Sequence, residues 1–274
     1  MPYKTLLVHL NHNRRAEALL EPAVRLASRH NAHLIGMHAY SMMPAIPVGG
    51  TVLGPAVAAE RQETEEVAST FARMTANQPF VAEWRSVKVP HTDLAPIVID
   101  HGRAADLIIA GQIDPDWDLS PLLDFPERLA VESGRPVLVV PYIGRYPEIG
   151  RNVVVAWKPR REAARAVFDA LPFLVGAEKV HILEIKEHGD DRPALAPDTS
   201  IAAALSRHGI KPSIRTSVLG DISVGEELLS RLADLGADLL VMGAYGHSRM
   251  RELVFGGATR SIFRHMTVPT LFSH

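Results

Sequence analysis

At 274 residues, with 47% hydrophobic and 22% charged residues, the chain has room for one large globular domain or two small ones. A formal net charge of -2 argues against a nucleic-acid binder, and the lack of cysteine rules out disulfide frameworks and thiolate chemistry. No window approaches the ~20 apolar residues that cross a bilayer, and MPYKTLLVHLNHNRR is too polar for a signal peptide; the expectation is a soluble cytoplasmic protein that meets neither membrane nor nucleic acid.

In chain order, residues 5–8 form an apolar strand run and residues 15–29 follow with a helical pattern. A second strand is expected over 32–39. The stretch 42–55, with three prolines and three glycines, reads as a loop. Residues 105–111 read as a strand, 112–118 as a turn bearing Asp114, Asp116 and Asp118, and 135–140 as another strand. The turn-rich stretch 141–150 follows.

The same order then recurs. A strand over 152–155 precedes a helix expected over 161–174, then a strand over 180–187 and a loop over 190–197. Gly220-Asp-Ile-Ser223 reads as a turn ending in an N-cap. The helix 224–235 puts Leu228, Leu232 and Leu235 on one face, and Gly236 stops it. A strand over 238–242 leads through a glycine segment to a helical pattern ending near Met266 and a last strand over 269–272. Ala105-Asp-Leu-Ile-Ile-Ala-Gly111 parallels Ala237-Asp-Leu-Leu-Val-Met-Gly243, and three other landmarks match in order.

This is a duplication. The strands are apolar runs, as expected where helices cover both sheet faces. The architecture is two tandem α/β/α domains, each with a mostly parallel five-stranded sheet, spanning residues 1–146 and 147–274. The final strands, 136–140 and 269–272, are apolar edges that pairing or packing across a pseudo-twofold would hide.

The glycine segment carries most of the functional information. Gly243, Gly246, Gly256 and Gly257 fall after a strand and at a helix start, where backbone N–H groups can face phosphate. Glycine spacing alone also fits turn-making and close helix–strand packing. His247, Ser248, Arg249 and Arg251 follow Gly246, and arginine there could neutralise phosphate oxygens; the bland reading is a solvated basic segment. Arg260 and Arg264 read as a solvent face of the last helix. No Gly-x4-Gly-Lys-[Ser/Thr] or initial Gly-x-Gly-x-x-Gly run occurs. The 13 histidines form no H-E-x-x-H helix, Asp106 and Asp238 read as structural strand starts, and no metal ligand set, nucleophile or general base stands out.

At these residues the chain resembles the universal stress protein (UspA-like) family in its tandem form, whose fold is Rossmann-like and adenine-nucleotide alpha-hydrolase-like. Nucleotide-binding members carry Gly-x2-Gly-x9-Gly followed by Ser or Thr. Gly243, Gly246 and Gly256 match; Gly257 stands at the hydroxyl position, with Ala258 and then Thr259 beyond it. Those members also place an Asp after the first strand; here the run is Ala156-Trp157-Lys158, with Lys158 at the Asp position, and the adenine-side contact falls near Ile185. A lysine cannot accept hydrogen bonds from ribose hydroxyls. The first half has no second glycine at the right spacing and no glycine pair before its last helix, and reads as a degenerate domain. The resemblance implies an adenine nucleotide, ATP with Mg2+, in the second half, in a stress-response regulator rather than a catalyst, with a homodimer or other protein partners. A scaffold without ligand and a slow ATP hydrolase are the alternatives.

Overall fold

The computed structural model describes residues 2–41, 54–90, 93–115, 124–186, 197–245 and 257–274, with side chains excepted at 54–60 and 197–199. Gly246, His247, Ser248, Arg249, Arg251, Gly256, Asp116 and Asp118 lie outside the described residues.

The first half runs β1 (Thr5–His9), α1 (Asn13–His30), β2 (His33–Ser41), α2 (Gly54–Thr75), β3 (Ala82–Val89), α3 (Ala95–Gly102), β4 (Leu107–Gly111), α4 (Phe125–Glu132) and β5 (Val137–Val140). The second runs β6 (Asn152–Ala156), α5 (Arg161–Asp169), α6 (Leu171–Leu174), β7 (Lys179–Lys186), α7 (Pro197–Arg207), β8 (Pro212–Val218), α8 (Val224–Leu235), β9 (Leu239–Gly243), α9 (Gly257–His265) and β10 (Thr270–Ser273). The expected helix over 161–174 is broken at Ala170. Pro172 has no N–H for the next turn and disfavours helical backbone at Leu171, so the ladder restarts as α6.

One ten-stranded sheet orders the strands β3-β2-β1-β4-β5-β10-β9-β6-β7-β8. Each half contributes five parallel strands in equivalent order. They meet at β5 and β10, which pair antiparallel with Leu138 opposite Leu271. Antiparallel pairing of equivalent strands is what a twofold relation between the halves requires. It also buries both apolar final strands, so among the described residues the open edges are β3 and β8.

Two apolar layers cover the sheet. On one face, α1, α5 and α7 pack against Leu6, Val8, Val153, Val155 and Val241. On the other, α3, α4, α8 and α9 pack against Leu7, Ile108, Val154, Leu240 and Phe272. The strand-start aspartates are structural: Asp106 accepts from the N–H groups of Lys4 and Thr5 (2.6 and 3.0 Å). Asp238 does the same for Gly150, Arg151 and Asn152 (2.9, 3.0 and 3.1 Å).

Ser223 caps α8 as part of a capping box with Glu226. Gly236 ends that helix with φ 60°.

Candidate functional site

In an open α/β sheet, ligands meet the crevice beyond the carboxyl ends of adjacent strands whose connections leave on opposite faces. In the second half those strands are β6 and β9, paired parallel with Val155 opposite Val241. Trp157 and Gly243 therefore stand level at the rim. β6 leads to α5 on one face and β9 to α9 on the other.

The sequence-predicted residues occupy this rim unequally. Trp157 is 8% exposed, its N–H donates to the Leu183 carbonyl (2.8 Å), and its indole Nε1 is buried with no hydrogen-bond partner. Lys158 is exposed. Ala156 and Ile185 are half-buried against the α9 side of the sheet, whereas Trp157 joins the layer on the α5 side. The structure thus brings Ala156 and Ile185 onto one face and Trp157 onto the other.

Gly243 faces the start of α5. A Cβ added there would lie 2.6 Å from the Glu162 carbonyl carbon and 2.7 Å from the Ala163 nitrogen. Close helix–strand packing explains this glycine without a ligand. Gly257 is different: it is exposed, opens α9, and an added Cβ would meet nothing within 4 Å among the described residues. Ala258 is half-buried and Thr259 is 6% exposed in the first turn of α9. The first N–H groups of a helix have no partner within it, and such a turn favours an anion. Among the described residues no group of three or more His, Asp or Glu is placed to hold a metal ion.

The equivalent rim of the first half is filled by its own side chains. Leu10 takes the place of Trp157, its N–H donating to Met37 (2.8 Å), and is fully buried. Asp114 is buried and lies 3.7 Å from the Arg14 guanidinium. Asp114 is thus a partnered carboxylate. Gln112 Nε2 donates to the carbonyls of Phe263 and Arg264 at the end of α9 (3.0 and 2.9 Å), and its Oε1 accepts from the Tyr142 N–H (3.1 Å).

His9 is fully enclosed beside Phe125, with ring centroids 4.8 Å apart, and its Nε2 has no partner. Burial, reinforced by His38, holds its pKa down at about 3. The enclosed His9 and the reach of Gln112 into the other half were not anticipated from sequence. His9 continues an apolar run and Gln112 follows one, so neither broke a pattern.

The profile of the Universal stress protein family matches residues 151–274, within the second half of the chain. A curated universal stress protein of Synechocystis is 33% identical over 107 residues, covering 37% of this chain and only 36% of that protein's length. A solved universal stress protein of Archaeoglobus fulgidus superposes with a TM-score of 0.74 at 16% identity, covering 98% of this chain and 95% of that one. A solved Pseudomonas aeruginosa chain gives 0.56 at 14% identity, covering 99% and 93%. At these identities the two structures share the fold.

Proposed function

We propose that the protein is a tandem universal stress protein, with domains 1–146 and 147–274, whose second domain binds an adenine nucleotide, ATP with Mg2+. On this reading it works in the cytoplasm as a nucleotide-responsive regulator of the stress response, not as a catalyst. The observation that carries the reading is the β6–β9 rim, where α9 opens at Gly257 and no described residue would lie within 4 Å of a Cβ added there. The family match of residues 151–274 supports it. Phosphates would meet Gly246, His247, Ser248, Arg249 and Gly256 of the glycine segment together with Gly257, Ala258 and Thr259. Ala156, Trp157, Lys158 and Ile185 would border the nucleoside.

A second reading, a ligand-free scaffold acting through a homodimer or other partners, is favoured by two observations. Gly243 is accounted for by packing on α5, and Lys158 offers ribose no acceptor. Calorimetry with ATP and Mg2+ on the full chain, with chromatography of nucleotide released on denaturation, separates the two. The expected result is one nucleotide per chain, with affinity lowered about tenfold in Gly246→Val, since a branched side chain blocks approach to the backbone. Two equivalent sites per chain would overturn the assignment to the second domain, and no binding would leave the scaffold reading.

A further inference from the structure

A groove of about 550 Å3 opens where α1, the end of α2 and the stretch that joins the halves come together. None of its lining residues belongs to the β6–β9 rim. A volume of this order is that of small-molecule sites.

Four charged side chains line the groove, two of each sign, and the structure treats them unequally. Both acids are held by arginines that do not line it. Glu148 Oε2 lies 3.1 Å from Arg151 Nη1. Glu21 Oε2 lies 3.4 Å from Arg145 Nε, at ion-pair distance without a hydrogen bond. Glu21 stands four residues before Arg25, the spacing at which a helix pairs a glutamate with the base that follows it; Arg145 takes it instead. Among the described residues Arg25 has no ion pair, and Arg29 Nη1 donates only to the uncharged Ile149 carbonyl (3.2 Å). The two guanidiniums, one turn apart on α1, therefore repel with nothing between them to relieve it. Arg29, in the last turn of α1, also answers the helix dipole. Arg25 lies a turn earlier, beyond the reach of that effect.

The rest of the lining suits the same occupant. Val24 and Met74 are half-buried and offer apolar surface, and Ser28 and Gln78 carry hydrogen-bonding groups that no described residue engages. Guanidinium forks match the planar or tetrahedral oxygens of carboxylate and phosphate.

We propose that this groove binds a small organic oxyanion, a carboxylate or phosphate monoester on a short apolar body, with Arg25 and Arg29 on the oxygens and Val24 and Met74 against the body. The site stands independently of the nucleotide reading. It uses α1 and the joining stretch, which the C-terminal site does not.

Amide NMR of the full chain, titrated separately with phenyl phosphate and phenylacetate, tests it. At least one should shift the amides of residues 24–29 and 74–78 saturably, with Kd of about 1 mM or below; the tighter of the two identifies the head group. Benzyl alcohol, the body without the charge, should leave them in place. Inorganic phosphate, the charge without the body, should bind at least about threefold more weakly than phenyl phosphate. Arg25→Gln and Arg29→Gln, both at exposed helical positions, should each weaken binding about tenfold, and Arg25→Lys by less. No saturable shift with either probe up to about 20 mM would overturn the site. So would unchanged affinity in Arg25→Gln, or shifts confined to residues 153–158 and 239–243. Inorganic phosphate binding as tightly as phenyl phosphate would overturn the part given to Val24 and Met74.

Discussion

The two halves share strand order, the aspartate that ties each fourth strand to its first, and the N–H bonds at equivalent rims. They differ in what the chain does after leaving the sheet. In the first half, Leu10, His9 and the Asp114–Arg14 pair close the rim, and Gln112 is committed to α9. In the second, Lys158 and Gly257 stay exposed and Trp157 holds an unpartnered donor. Topology is kept by the apolar strands, which have few alternatives once buried on both faces. A site depends on a few residues past the strand ends, where change costs the fold little.

The sharpest test of that contrast pairs two glycines at equivalent strand ends. A Cβ at Gly243 would strike the α5 backbone at 2.6 Å, whereas one at Gly111 would lie 3.6 Å from the Leu19 side chain. Overpacking against backbone has no cheap relief. Gly243→Ala should lower unfolding free energy by about 3 kcal/mol, and Gly111→Ala by less than about 0.5 kcal/mol. Urea denaturation measures both, and similar losses would mean that the two helix–strand contacts are equivalent after all.

His9 makes the first rim sensitive to acid. Its folded pKa of about 3 lies below the ordinary 6.5, so between these values the unfolded chain binds more protons than the folded one. The stability tied to His9 is whole above pH 6.5 and falls as pH drops toward about 3, by roughly 1.4 kcal/mol per pH unit. His38 reinforces the depression and a hydrogen bond to the Ala39 backbone opposes it. Unfolding free energies from urea titration at about pH 7 and about pH 5 should diverge by about 2 kcal/mol in wild type and much less in His9→Leu. An unchanged divergence in His9→Leu would place the titration elsewhere.

The duplication was legible because its buried strands, such as 105–111 and 237–243, are apolar runs that repeat. The third strand of each half was not located. Among the described residues β3 and β8 are the open edges of the sheet, and Ala-Glu-Trp-Arg-Ser-Val-Lys-Val and Pro-Ser-Ile-Arg-Thr-Ser-Val mix polar residues as half-exposed edges do. Pairing of the final strands was readable from their apolarity. The contacts that cross between halves were not: Gln112 reaches a carbonyl 151 residues away, and no local pattern encodes such a partner. At the site, spacing matched Gly243 and set Gly257 at the hydroxyl position, and only the structure separates a glycine filled by α5 from one with no described residue within 4 Å of an added Cβ.

That separation supplies the smallest and most discriminating prediction. Gly257 is the first residue of α9, and an added methyl meets nothing within 4 Å among the described residues. Its φ lies outside the positive range, and alanine favours helix over glycine. Gly257→Ala should therefore leave stability unchanged or raise it by up to about 0.5 kcal/mol in thermal unfolding. If the first turn of α9 receives phosphate, the same methyl sits where the anion approaches the N–H groups, and ATP affinity should fall about threefold or more. Affinity lost without stability lost would mean that this glycine is kept for a ligand, as Gly243 is kept for α5. Equal affinity in wild type and variant would remove Gly257 from the site and favour the scaffold reading, leaving the two rims different in shape but alike in binding nothing.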